Sequence, residues 1–140
     1  MRTAAYVVGV VFLALGVAGF VPGLTTNHDA LRFAGDSEAL LFGVFAVSVL
    51  HNIIHLLIGV WGVVTARSVR GASLFLVSGG VFYMVLWFYG LVVGTAPGPA
   101  NFLPINTADG WLHLCSALVM TGLGFALTRK ASQTRPPSGS

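Results

Sequence analysis

The chain has 140 residues, of which 56% are hydrophobic and only 8% charged. A soluble domain carries about 25% charged residues, so seven basic and four acidic side chains exclude a water-soluble globule and an intrinsically disordered chain. The net charge of +3 does not point to nucleic acid, because the basic residues fall in short breaks between apolar runs. They read instead as topology signals of an integral membrane protein.

Crossing the hydrocarbon core as a helix takes about 20 apolar residues. Four stretches qualify, over about 4–21, 39–66, 72–94 and 110–128. Each is continuously apolar, unlike the alternating strands of a membrane barrel. Span one resembles a signal peptide in carrying Arg2 and a small-residue end, but its apolar run is long for one and reads as an uncleaved span. Pro22, Gly23 and the polar stretch from Thr25 to Glu38 end it. Arg67 to Gly71 forms a tight turn between spans two and three. Pro97, Pro99 and Pro104 fill the loop after span three. Arg129 and Lys130 stop span four, and residues 131–140 read as a disordered tail. The expectation is one all-α, four-helix transmembrane bundle over residues 1–130.

Arg2, Arg67, Arg70, Arg129, Lys130 and Arg135 then lie on one side, with only Arg32 on the other. The excess of positive charge predicts that both termini are cytoplasmic. All four acids, Asp29, Asp36, Glu38 and Asp109, fall on the outer side. Trp87, Tyr89 and Trp111 fall near outer helix ends, where aromatic belts form.

Small residues mark where membrane helices approach. Ala5, Gly9, Phe12, Gly16, Gly19 and Gly23 share one face of span one. Ser48, His51, His55, Gly59, Gly62 and Ala66 share one face of span two. Span three has Gly90-x-x-x-Gly94, and span four has Asp109, His113, Ser116 or Ala117, and Gly124. These faces predict close packing within one bundle, with a homodimer as the alternative. A weak internal echo pairs Gly9-Val-Val-Phe12 with Gly79-Gly-Val-Phe82, and Asn52-Ile-Ile-His55 with Gly110-Trp-Leu-His113.

Ionisable groups inside spans are costly and mark functional candidates. The set is His51, Asn52, His55, Asp109 and His113. His51 precedes Arg67 by 16 residues, and His113 precedes Arg129 by 16. At 1.5 Å per residue, both stand about 24 Å from the basic boundary. His51, His55, His113 and Asp109 are candidate ligands for zinc, copper or iron. His51, His55 and His113 are also candidate axial ligands of a haem. Proton relay is a third option, and interhelical hydrogen bonding, Asn52 included, a fourth. A shared ligand predicts the histidines together; a structural role predicts them dispersed, each bonded to backbone or a neighbouring helix. His28 reads as a solvated loop residue and Cys115 as a buried small apolar one. Cys115 is the only cysteine, which excludes an intramolecular disulfide and any Cys-x-x-Cys motif. No phosphate loop or nucleophile elbow appears.

The segment Asn52-Ile-Ile-His55-Leu-Leu-Ile-Gly59-Val-Trp-Gly62, followed by Asn106-Thr-Ala-Asp109-Gly-Trp111-Leu-His113-Leu, resembles a family of small bacterial four-span membrane proteins known only as a domain of unknown function. The resemblance covers about residues 1–130. It implies four membrane helices and a bacterial inner-membrane location, and supplies no activity or site residues. The expected role is that of a non-enzymatic accessory or structural membrane protein. The alternatives are a metal- or haem-binding protein and an oligomeric small-molecule or proton transporter. The expected partners are the lipid bilayer and a second copy or another membrane protein.

Overall fold

The computed structural model describes residues 1–35, 37–93 and 99–133. It is built on four helices: α1 (Arg2–Ala18), α2 (Val49–Thr65), α3 (Val69–Val93) and α4 (Thr107–Gln133). Their interiors are runs of Val, Leu, Ala and Phe with no acid in α1, α2 or α3. The two longer helices, over Val69–Val93 and Thr107–Arg129, are long and apolar enough to cross a membrane. α1 and α2 are apolar but have 17 residues each, a length of about 25 Å.

The helices pack as two antiparallel pairs, α1 with α2 and α3 with α4. Glycine makes the first pair close. A Cβ on Gly9 would stand 2.9 Å from the Gly59 carbonyl oxygen, and one on Gly62 would stand 2.8 Å from the Gly9 Cα. The small faces expected on spans one and two are therefore used within the chain. The exception is Gly23, which lies past the helix at φ +93 with open space around it. In the second pair the approach is made by Gly79, Gly80 and Gly124. A Cβ at Gly80 would collide with the Thr121 hydroxyl, and one at Gly124 would stand 2.7 Å from a Val77 methyl. The expected Gly90-x-x-x-Gly94 face does not make this contact. Gly90 faces Ile105, and Gly94 lies outside the described residues.

Span two is shorter than its apolar run suggests. Residues 39–48 do not continue the helix; they hold a three-stranded antiparallel sheet together with β1 (Thr25–Thr26). Its other strands are β2 (Leu40–Leu41) and β3 (Phe45–Ala46), with Leu41 opposite both Thr25 and Phe45. The β2–β3 turn places Phe42 at φ 53 and Gly43 at φ 70, a conformation a helix cannot contain. The helix begins only where Ser48 caps it, its hydroxyl accepting from the His51 N–H at 3.1 Å. Ala18, Ala39, Leu41 and Val47 form a small apolar cluster beneath this sheet. A larger cluster, including Phe12, Phe75, Leu76, Tyr83 and Met120, fills the space between the helices.

The two ends of the bundle differ chemically. At one end the Arg2 Nε donates to the Ala66 carbonyl at 3.0 Å, and Ser73 meets Thr128 at 3.2 Å. Arg67, Arg70 and Arg129 share that end. The sheet and the loop 99–106 cover the other. They are tied together by the Gly35 N–H donating to the Phe102 carbonyl (2.7 Å) and by the Asn106 amide donating to the Val44 carbonyl (2.7 Å). α4 runs past Arg129 to Gln133; Pro97, Arg135 and the remainder of the expected tail lie outside the described residues.

Candidate functional site

Two helix starts place the polar residues beneath the sheet. Ser48 fixes the first turn of α2, so His51 and His55 follow on one face, four residues apart. Asn106 and Asp109 fix the start of α4 reciprocally. The Asn106 side-chain oxygen accepts from the Asp109 N–H (3.0 Å), and the Asp109 Oδ2 accepts from the Asn106 N–H (2.9 Å). This is a capping box with Asn and Asp in the two roles. The same Oδ2 also accepts from the Ala46 N–H of β3 at 3.0 Å. Asp109, 2% exposed, thus clasps the sheet to α4. His113 follows one turn later, facing the bundle interior.

The structure brings His51, His55 and His113 together. The His51 ring centroid lies 4.6 Å from that of His55 and 6.1 Å from that of His113. α2 and α4 thus meet through side chains, although the backbones pair with other helices. Two aromatic rings wall the group. Phe12 stacks on His55 at 5.7 Å and on Tyr83 at 5.0 Å, and Tyr83 lies 5.4 Å from His113. Tyr83 is a member of this group that the sequence pattern did not single out.

None of these side chains is more than 5% exposed. The Nδ1 atoms of all three histidines, both polar atoms of the Asn52 amide and the Tyr83 hydroxyl have no hydrogen-bond partner among the described residues. Asn52 lies directly on the backbone of Gly19, where a Cβ would overlap the amide. Its expected interhelical hydrogen bond is not made among the described residues. An unpartnered buried polar group costs about 1–3 kcal/mol, so a cluster of them asks for a ligand or a compensating role.

Among the described residues, no group of three or more His, Cys, Asp or Glu is arranged to hold a metal ion as it stands. Asp109 is committed to backbone N–H groups and does not join the histidines. Two of the three imidazole pairs have ring separations in the range that a shared ion needs. Two that share a tetrahedral zinc at about 2.0–2.1 Å stand with ring centroids about 5 Å apart, and the observed 4.6 and 6.1 Å bracket that value. A haem does not fit. Phe12, Tyr83 and the histidines contact one another, and their near-zero exposure leaves no slot of porphyrin size beside them.

Two further residues differ from expectation. His28 is half-buried, its Nε2 3.1 Å from the Phe20 carbonyl, so it closes the end of α1. Cys115 is exposed, because α1 and α4 are not packed together. It lines an open groove of about 240 Å³ between them, with Val7, Phe12, Leu15 and Met120.

The model of a family described as a domain of unknown function, DUF4383, matches residues 2–126, which include every residue of this site. No curated protein matches the chain, and no solved structure does.

Proposed function

The chain belongs to the DUF4383 family, a domain of unknown function, and we propose that it is a multi-pass membrane protein that binds a transition-metal cation at His51, His55 and His113. The observation that carries this reading is the meeting of three buried imidazoles from two helices, each with an unpartnered Nδ1. A purely structural role, the first expectation from sequence, needs the histidines bonded to backbone or neighbouring helices. The Nδ1 atoms are not.

The membrane setting is supported by composition and surface together. The mean hydropathy is +0.88, and large apolar side chains such as Val10, Leu57, Leu74, Val85, Val119 and Phe125 are exposed along all four helices. Water would expose this surface at a cost; lipid tails would cover it. The arginine-rich end then faces the cytoplasm, and the sheet faces outward.

Imidazole suits zinc, copper, iron and nickel. His51, His55 and His113 would supply the nitrogen ligands, with the Tyr83 ring beside His113. Phe12 and Tyr83 exclude water, and Asp109 holds the sheet over the site. A bound cation would accept the lone pairs of the three imidazoles. Ser48 and the Asn106–Asp109 cap keep the two histidine-bearing turns in register.

Elemental analysis of the protein in mild detergent, after exposure to zinc or copper and removal of excess metal, tests the proposal. About one ion per chain is expected, lost in His51→Ala and in His113→Ala. A metal-free protein, or stoichiometry unchanged in both variants, overturns it.

A further inference from the structure

The end opposite the sheet carries positive charge without acidic partners. The acids are Asp29, Asp36, Glu38 and Asp109; three lie between α1 and α2, and Asp109 lies under the sheet. No Asp or Glu occurs in residues 1–28, 39–108 or 110–140. Arg2, Arg67, Arg70 and Arg129 therefore share an end with no acidic side chain to neutralise them.

Two of these arginines line a hollow. It has a volume of about 610 Å³ and is walled by Arg2, Thr3 and Tyr6 of α1 and by Val63, Ala66 and Arg67 at the end of α2. Arg2 is anchored, because its Nε donates to the Ala66 carbonyl at 3.0 Å. A guanidinium has five N–H donors, so four remain beyond that bond. Thr3 and Tyr6 add hydroxyl groups on the same wall. Next to the hollow, Val7 and Val10 of α1 and Val64 of α2 are exposed, giving apolar surface that runs on toward the middle of the bundle.

Cation pairs, hydroxyl donors and an adjoining apolar strip match a molecule with an anionic head and hydrocarbon tails. Basic pockets at the cytoplasmic ends of membrane helices suit such head groups, and Arg binds phosphate through paired N–H donors. We propose that the hollow between Arg2 and Arg67 seats the phosphodiester head of an anionic phospholipid. The inference rests on the membrane reading and is independent of the metal.

The test is native mass spectrometry of the full chain in detergent, supplied with equal amounts of phosphatidylglycerol and phosphatidylcholine. The expected result is selective retention of about one phosphatidylglycerol. The preference should fall roughly fivefold in Arg67→Gln and again in the Arg2→Gln, Arg67→Gln double variant. Arg32→Gln, at the other end, should leave it unchanged. Equal retention of the two lipids overturns the proposal, as does a preference unaltered in Arg67→Gln. Because Arg67 is exposed, that single variant keeps the test valid if loss of the Arg2 bond unfolds the double one. Displacement of the lipid by millimolar inorganic phosphate would assign the hollow to a free anion and also overturn it. Release of the chain from membranes by alkaline carbonate would instead remove the membrane reading, an outcome distinct from a lost lipid preference.

Discussion

Phe12 of α1 and Tyr83 of α3 stack face to face, ring centroids 5.0 Å apart and 6° from parallel. Each ring also holds a histidine of its partner helix, Phe12 against His55 and Tyr83 against His113. The stack is the joint between the two helix pairs, and it sets the histidines side by side. Aromatic pairs of this kind contribute about 0.5–1.5 kcal/mol beyond burial. The joint therefore couples assembly of the bundle to assembly of the site.

Among the described residues, the Tyr83 hydroxyl has no hydrogen-bond partner in this joint. Tyr83→Phe keeps the stack and removes the orphaned group, so the thermal midpoint in detergent should hold or rise. A fall of more than a few degrees would show that the hydroxyl makes a stabilising bond. Metal affinity measured on the same variant separates a ligand role from a packing one.

Asp109 acts as a clasp. Asp109→Ala removes acceptors from the Asn106 and Ala46 N–H groups and should cost about 1–3 kcal/mol. Hydrogen exchange should show the Ala46 amide losing protection. Because its Oδ2 is held by two backbone N–H groups, metal stoichiometry should stay the same. Loss of the metal without loss of stability would place Asp109 among the ligands.

Glycine positions divide sharply by what surrounds them. Gly19→Ala drives a methyl into the buried Asn52 amide, an overpacking expected to cost about 1–3 kcal/mol. Gly110→Ala, with nothing within 4 Å, should be neutral or stabilise α4 by up to about 1 kcal/mol. Equal thermal midpoints for the two variants would contradict the α1–α2 packing described above.

Cys115 is exposed in the α1–α4 groove. In membranes it should react with an apolar maleimide much faster than with a charged, membrane-impermeant one. Equal rates would mean that the middle of α4 meets water.

Much of this fold is legible in the sequence. The small-residue spacing marks the α1–α2 contact, and the 16-residue offsets to Arg67 and Arg129 put His51 and His113 at one level. Three features were not. The sheet hides in residues 39–48 because Leu, Phe and Val fit an apolar span and a strand equally well; Gly43 and Ser48 were the available signals. Tyr83 reads as an ordinary apolar helix residue, since its role depends on which helix packs against it. Asp109 looked like a ligand because it stands four residues before His113, but that position is also where a helix start recruits a carboxylate.

His51, His55 and His113 are proposed to share one ion. X-ray absorption at the zinc edge, on the zinc-loaded protein in detergent, tests it most directly. The expected spectrum has a nitrogen-dominated first shell at about 2.0–2.1 Å with imidazole scattering from three rings, reduced in His55→Ala. A shell of sulfur, or one of oxygen alone that is indifferent to the histidine substitutions, would contradict it.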